Sequence, residues 1–268
     1  TKYCNSWIRM EASYKGTYGR LLVIGGNRQY GGAAILATTS AVYSGAGLVS
    51  VALAKENHSA LQARLPEAMT LDFDDLIKLR EVAKAADVIV IGPGLGLERL
   101  DLLTEVLNLL TENQKLVIDG SALTLFAREH LDLPFPENTV FTPHEMELER
   151  LSGLKIGQQT KEEVQDFVNQ LGAIVVAKSS ETRIFAPNRE SFILKIGSPA
   201  QATGGMGDTL AGMVGGFLAQ FHGETEEVVA AATYLHSLIA SVLAQKTYVV
   251  LPSRLIEEIP LFMKKYEC

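Results

Sequence analysis

The run Arg20-Leu21-Leu22-Val23-Ile24, stopped by Gly25-Gly26, restricts what this chain can fold into more than any other stretch. An apolar run without polar alternation buries both faces, as an inner strand does in a parallel sheet covered by helices. A helix has to follow. Gly31 to Ser44 supplies it with small residues that permit close packing, and Gly45-Ala46-Gly47 ends it before a second apolar run, Leu48 to Leu53. The three pieces form a β-α-β unit. Its Gly25-Gly26-Asn27 turn lacks the third, spaced glycine of a dinucleotide fingerprint, and no acidic residue closes the second run, which argues against an ordinary Rossmann site.

The alternation continues along the chain. Asp87 to Ile91 is a strand ending in the turn Gly92-Pro93-Gly94-Leu95-Gly96, with an amphipathic helix through about Leu110. Lys115 to Asp119 and Asn138 to Thr142 are further strands, the second leading through Pro143-His144-Glu145-Met146-Glu147 into a helix. After Ala173 to Lys178 the connections shorten, so Thr182 to Ala186 and Ser191 to Lys195 read as antiparallel partners. Three helices close the chain, one to about Phe221, one from Glu224 to Gln245 and one opening near Pro252-Ser253. The expected fold class is α/β: a mostly parallel central sheet, helices on both faces and an antiparallel C-terminal edge. With 47% hydrophobic content and no linker-like stretch, residues 1–268 read as a single domain. In such a sheet the carboxyl ends of the strands gather on one edge, where ligands bind.

The stretch Thr203-Gly204-Gly205-Met206-Gly207-Asp208 is the strongest candidate for chemistry. Its glycines permit a turn with positive φ and bare backbone, and the apolar run that follows reads as a buried helix. The unpaired amides of a first helical turn, aided by the helix dipole, make an anion site over Gly205 to Gly207. Asp208 has two readings. It caps the helix, or it takes a proton from a nucleophile that attacks a bound phosphate.

A net charge of −7 argues against a nucleic-acid surface, because phosphate backbones are held by clustered Lys and Arg. Cys4 and Cys268, at opposite ends, are the only cysteines, which argues against a disulfide framework and suits a cytoplasmic chain. No secretory signal is expected at Thr1 to Met10. The apolar stretch Val228 to Ala244 carries His236 and two serines and is expected as a buried helix, with no membrane involved.

Taken together, the strand-end motifs resemble the ADP/ATP-dependent NAD(P)H-hydrate dehydratase family of the ribokinase-like superfamily. The residues that carry the resemblance are Gly25-Gly26-Asn27 with Gly32-Ala33-Ala34, Ser44-Gly45-Ala46-Gly47-Leu48, Leu65-Pro66-Glu67-Ala68-Met69, Gly92-Pro93-Gly94-Leu95-Gly96, Thr142-Pro143-His144 with Glu147, and Ala202-Thr203-Gly204-Gly205 with Gly207-Asp208. It implies a ribokinase-like fold and the repair of hydrated NADH or NADPH: a nucleotide, ADP or ATP, phosphorylates the substrate hydroxyl, and loss of phosphate restores the reduced ring. By the same resemblance Asp208 is the catalytic base, and Ala33, Gly94, His144 and Asp208 contact the hydrated dinucleotide. Lys178, Ser179, Ser180, Glu181 and Thr182, with the amides of Gly205 and Gly207, bind the nucleotide. Glu147 stands near Mg2+, through water. Ser179 replaces the family's glycine after the lysine, Ser198-Pro199-Ala200-Gln201 replaces Asn-Pro-Gly-Met, and Ser121 replaces a second aspartate. A homo-oligomer, dimer or tetramer, is expected.

Each of these residues also has a structural reading. His144 can cap its helix, Lys178 can be a solvated strand end, Lys15 a surface charge, and Glu147 an acid favoured by the helix dipole. Two other functions use the same features: a small-molecule kinase of the superfamily, whose product would be stable to elimination, and an inactive nucleotide-sensing protein.

Overall fold

A computed structural model describes residues 13–196, 200 and 202–267. Cys4, Cys268, Ser198, Pro199 and Gln201, singled out above, lie outside the described residues. In chain order the elements are β1 (Arg20–Ile24), α1 (Gly31–Tyr43), β2 (Leu48–Leu53), α2 (His58–Arg64), β3 (Met69–Asp72), α3 (Leu76–Ala85), β4 (Val88–Ile91) and α4 (Leu100–Leu109). There follow β5 (Lys115–Ile118), α5 (Gly120–Arg128), β6 (Thr139–Phe141), α6 (Glu145–Ser152), α7 (Lys161–Leu171), β7 (Ile174–Ala177), β8 (Arg183–Phe185) and β9 (Phe192–Ile193). The last three are α8 (Met206–Gln220), α9 (Thr225–Ala244) and α10 (Pro252–Lys265).

The strands form one sheet in the order β3-β2-β1-β4-β5-β6-β7-β8-β9. From β3 to β7 every pairing is parallel, and β8 and β9 add antiparallel partners, the mixed sheet expected from the sequence. Successive strand residues face opposite ways, and both faces are covered. Leu21, Val23, Val90, Val117, Val140 and Val176 pack toward α1, α8, α9 and α10; Leu22, Ile24, Ile91, Ile118, Phe141 and Val175 pack toward α3 to α7. That division is why the inner strands read as unbroken apolar runs. β3, α2, α3, α5 and α7 are elements beyond those expected from the sequence. β3 is an edge strand with Met69 half exposed, so burial on one side alone leaves it no long apolar run.

α8 is the central helix on its face. Every residue in it is buried except Gly207 and Asp208. Glycine makes this possible: a Cβ on Gly212 would meet the Ala37 carbonyl oxygen of α1 at 2.0 Å, and one on Gly215 would meet Val90 Cγ2 of the sheet at 2.5 Å. The Ser40 hydroxyl donates to the Thr209 carbonyl at 2.9 Å, which ties α1 to the first turns of α8. α9 is long and apolar enough to cross a bilayer, yet it packs against α8 and buries Val229, Ala232, Leu235 and Ile239. His236 on α9 is buried too, and burial drives its pKa down to about 4, which keeps it neutral. Lys15 lies in a short turn at the other end of the sheet, where Gly19 abuts Ala219 near the C-terminus of α8.

Candidate active site

The strand order reverses between β1 and β4, and the turns that follow these two strands are joined there. Gly26 N donates to Pro93 O at 2.8 Å and Asn27 N to Gly94 O at 2.7 Å. Gly94 has φ +63°, and a Cβ on it would lie 2.3 Å from the Tyr30 carbonyl oxygen and 3.0 Å from the Ala33 methyl. Only glycine fits that approach. Ala33 and Gly94, both expected at the dinucleotide, are therefore neighbours. Asn57 secures the turn from below, its amide donating to the Gly26 and Asn27 carbonyls at 3.3 and 2.8 Å.

Further along the edge, β6 and β7 run on together beyond their last paired residues. Lys178 N donates to Pro143 O at 2.8 Å, and His144 forms a parallel bridge with Lys178. His144 is the N-cap of α6: its Nδ1 accepts from the Met146 and Glu147 amides at 3.2 and 3.4 Å, and Glu147 Oε2 accepts from the His144 amide at 2.9 Å. This is a capping box. The structural reading of His144 is thus correct, but incomplete. With Nδ1 accepting from these amides, Nε2 is the nitrogen left to donate; it lies 3.6 Å from Glu147 Oε1, on a side chain that is 53% exposed.

Lys178 is not a solvated strand end. Its ammonium donates to Asp119 Oδ1 at 3.1 Å, and the Thr142 hydroxyl donates to the same oxygen at 2.6 Å. Burial works against the lysine's charge, but the carboxylates of Asp119, Glu147 and Asp208 outweigh it and raise the pKa above the ordinary lysine value. Ser179, Ser180 and Glu181 are exposed in the turn between β7 and β8, where the Glu181 amide donates to Ser179 Oγ at 3.1 Å and the Thr182 hydroxyl to the Ser179 carbonyl at 3.3 Å. On the face of the sheet away from α8, a cavity of about 450 Å³ borders this turn, walled by Leu148, Val164, Phe185 and Lys178 among others.

The glycine turn meets this cluster from α8. Gly205 is the N-cap, and its φ of +95° is a conformation that side chains rarely adopt; a Cβ there would also push Leu36 Cδ1 aside from 2.4 Å. Thr203 anchors the turn by donating to the Val250 carbonyl at 3.0 Å. The first helical bond runs from Thr209 N to Gly205 O, which leaves the amides of Met206 and Gly207 without an intrahelical acceptor. A Cβ on Gly207 would come within 3.1 Å of Lys178 Nζ, so the ammonium lies against the turn. Asp208 occupies the third position of α8, three residues past the N-cap Gly205, so it is not the N-cap residue that the structural reading made it. Burial foremost, then repulsion from Asp119 and Glu147 against the pull of Lys178, raises its pKa to about 6. Glu147, 6% exposed, is raised as well, by burial first, with Lys178 opposing and Asp119 reinforcing.

The edge thus carries, strand by strand, the joined turns after β1 and β4, a buried ion pair, a half-exposed histidine and a glycine turn with a carboxylate beside it, the kind of constellation in an α/β sheet that suits binding of a phosphorylated ligand. Known proteins share this fold. A crystal structure of a ribokinase-like superfamily protein from Enterococcus faecalis V583 superimposes with a TM-score of 0.94 at 49% identity, over 97% of this chain and 91% of that one. The ADP/ATP-dependent NAD(P)H-hydrate dehydratase of Bacillus subtilis, co-crystallized with ATP/Mg2+, gives a TM-score of 0.83 at 25% identity over 100% of both chains. The ADP-dependent (S)-NAD(P)H-hydrate dehydratase of Lactococcus lactis subsp. lactis (strain IL1403) is 98% identical over 260 residues, 97% of this chain and 94% of its own length. The sequence profile described as NAD(P)H-hydrate dehydratase matches residues 21–261. The chain belongs to the NAD(P)H-hydrate dehydratase family, and its fold is ribokinase-like.

Proposed function

We propose that this chain dehydrates hydrated NADH or NADPH with ADP as co-substrate, phosphorylating the substrate hydroxyl at Asp208. The observation that carries this reading is the first turn of α8: the two residues of that helix left unburied are a glycine in the turn whose amides have no intrahelical acceptor and a carboxylate whose pKa burial raises to about 6. The substrate hydroxyl gives its proton to Asp208 as its oxygen bonds to the terminal phosphorus of ADP, and the bond to AMP breaks. The ring nitrogen then supplies the electron pair that expels phosphate, and a proton lost from the adjacent ring carbon restores the reduced nicotinamide. The products are the reduced dinucleotide, AMP and phosphate.

Ala33, Gly94 and the His144 Nε2 donor hold the hydrated dinucleotide; Lys178 to Thr182 and the Gly205 and Gly207 amides hold the nucleotide. Amides aimed at shifting phosphate charge in a site without bulky side chains supply most of the catalysis such a transfer needs. Mg2+ fits the donor set. Among the described residues no three metal-ligating side chains cluster, but Mg2+ keeps most of its waters and takes one or two carboxylates with the phosphates, and Glu147 Oε1 is uncommitted apart from a 3.6 Å approach to His144 Nε2. Bound there through water, it would neutralise phosphate charge.

The relatives' ADP dependence supports ADP over ATP. The kinase and inactive-sensor alternatives are not favoured, given an intact Asp208 within this family. We further place the chain in the cytoplasm, as one domain that forms a homo-oligomer; Tyr248, Val249 and Leu251 offer exposed apolar area for such contacts. Incubating hydrated NADH with ADP and magnesium should restore reduced-nicotinamide absorbance. No recovery with either ADP or ATP would overturn the proposal.

A further inference from the structure

Asp119 sits at the N-cap of α5 with φ −133° and ψ 165°, the backbone geometry from which an aspartate normally accepts the first helical amides. It accepts none of them. Instead its side chain, 4% exposed, turns toward the next strand ends, where one oxygen takes the Thr142 hydroxyl at 2.6 Å and the Lys178 ammonium at 3.1 Å. Forgoing the cap leaves the first amides of α5 without that acceptor, so the contact it makes instead comes at the expense of the helix. Thr142 is fully buried and spends its hydroxyl on this contact. The ammonium so held lies against Gly207, at the center of the anion cradle. β5, β6 and β7 are neighbours in the sheet, so three successive strand ends supply the carboxylate, the hydroxyl and the ammonium.

We propose that Asp119 and Thr142 are positioning residues for phosphoryl transfer: together they fix the Lys178 ammonium beside the Gly207 amide, where it meets the oxygens of the phosphate being transferred. This rests on the function proposed above and extends it to two residues outside the ligand contacts. Thr142 aims the carboxylate, the carboxylate aims the ammonium, and the ammonium stabilises charge leaving with the nucleotide. A Lys178 without its anchor would still be cationic but would sample other rotamers, and a displacement of about 1 Å in such a group costs on the order of 10²-fold in rate. Dinucleotide binding at Ala33, Gly94 and His144 does not depend on this chain of contacts.

The test compares Asp119→Asn, Thr142→Val, Thr142→Ser and Lys178→Met with the wild type, using hydrated NADH and ADP with magnesium. Wild-type turnover comes first; its absence would defeat the function proposed above, not this inference. With an active wild type, Asp119→Asn and Lys178→Met should each lower kcat about 10²-fold, the loss typical of one electrostatic donor. Thr142→Val should lose about tenfold, and Thr142→Ser, which keeps the hydroxyl, should recover most of it. KM for hydrated NADH should stay within about twofold throughout. In the Lys178→Met background Asp119→Asn should add little, since both act through one group. A wild-type kcat in Asp119→Asn or Thr142→Val, additive losses in the double variant, or a fall explained entirely by a raised dinucleotide KM would each overturn the inference. Should Asp119→Asn fail to fold, the Thr142→Val and Thr142→Ser pair decides it.

Discussion

Asp208→Asn separates catalysis from structure because the two predict opposite changes. The folded protein holds the Asp208 pKa at about 6, against an ordinary 3.8, with burial as the leading cause. Above pH 6 the fold therefore carries a carboxylate that the unfolded chain would accommodate more easily. At about 1.36 kcal/mol per pH unit the difference amounts to about 3 kcal/mol at neutral pH, a ceiling because the helix dipole favours the charge. The amide escapes this cost. The variant should melt several degrees higher at pH 7, taking about 2–4 °C per kcal/mol for a chain of this size. The sign follows from linkage: between pH 4 and pH 6 the folded wild type binds a proton that the unfolded chain does not, so its stability rises as pH falls through that window. The variant lacks that rise. Turnover should move the other way, down by about 10²–10⁴-fold, since an amide accepts no proton at neutral pH. Wild-type kcat/KM should climb as pH passes upward through about 6, the deprotonated form being the base. Melting curves from pH 4 to pH 8 and the absorbance assay on the same samples provide both readings. A variant that turns over normally, or is destabilised at pH 7, would refute the argument.

Three more outcomes follow from the same site. His144→Asn keeps a side chain that caps helices well but loses the Nε2 donor, so KM for hydrated NADH should rise with little change in melting temperature, while His144→Ala should also lose about 1 kcal/mol of stability; unchanged KM in both would make His144 a cap alone. Gly207→Ala should melt at or above the wild-type temperature, alanine being the better helix former, yet raise KM for ADP about tenfold because its methyl would crowd Lys178 Nζ at 3.1 Å; wild-type ADP affinity would show the cradle lies elsewhere. Chelation should abolish turnover and Mg2+ restore it, and Glu147→Gln should raise the Mg2+ concentration required, measured by titration at fixed ADP; an unshifted requirement would remove Glu147 from the metal's surroundings.

The inner strands were legible because burial on both faces writes itself as unbroken apolar runs, and Gly25, Gly92 and Gly205 mark where the chain must turn tightly. β3 was not, since its four residues, Met69 to Asp72, carry the mixed polarity of an edge. The amphipathic helices α3, α5 and α7 went unread between the more conspicuous strands. At the site, the glycine turn and His144 stood out by local pattern. The Asp119 to Lys178 pair did not, because 59 residues separate partners that only strand order brings together. A trace of it was available: Asp119 ends a strand on the ligand edge just before a helix. Asp208 was ambiguous for a different reason. Sequence places a carboxylate near a helix start but does not say which residue is the cap, and the positive φ of Gly205 settles that only in three dimensions.

The burial of α8 bears on how the protein moves. From Thr209 to Gln220 the helix has no exposed residue, and Gly212 and Gly215 bring it within touching distance of the α1 backbone and the sheet. Its later turns cannot loosen without opening the whole core, so their amides should exchange with solvent only through global unfolding. The cradle at its head inherits that stiffness. On the proposed function, a nucleotide would meet donors already ordered by the fold, and binding would forfeit little conformational entropy on that side of the site. The Ser179 to Glu181 turn is exposed, and there the slow motions of a turnover cycle should be sought first.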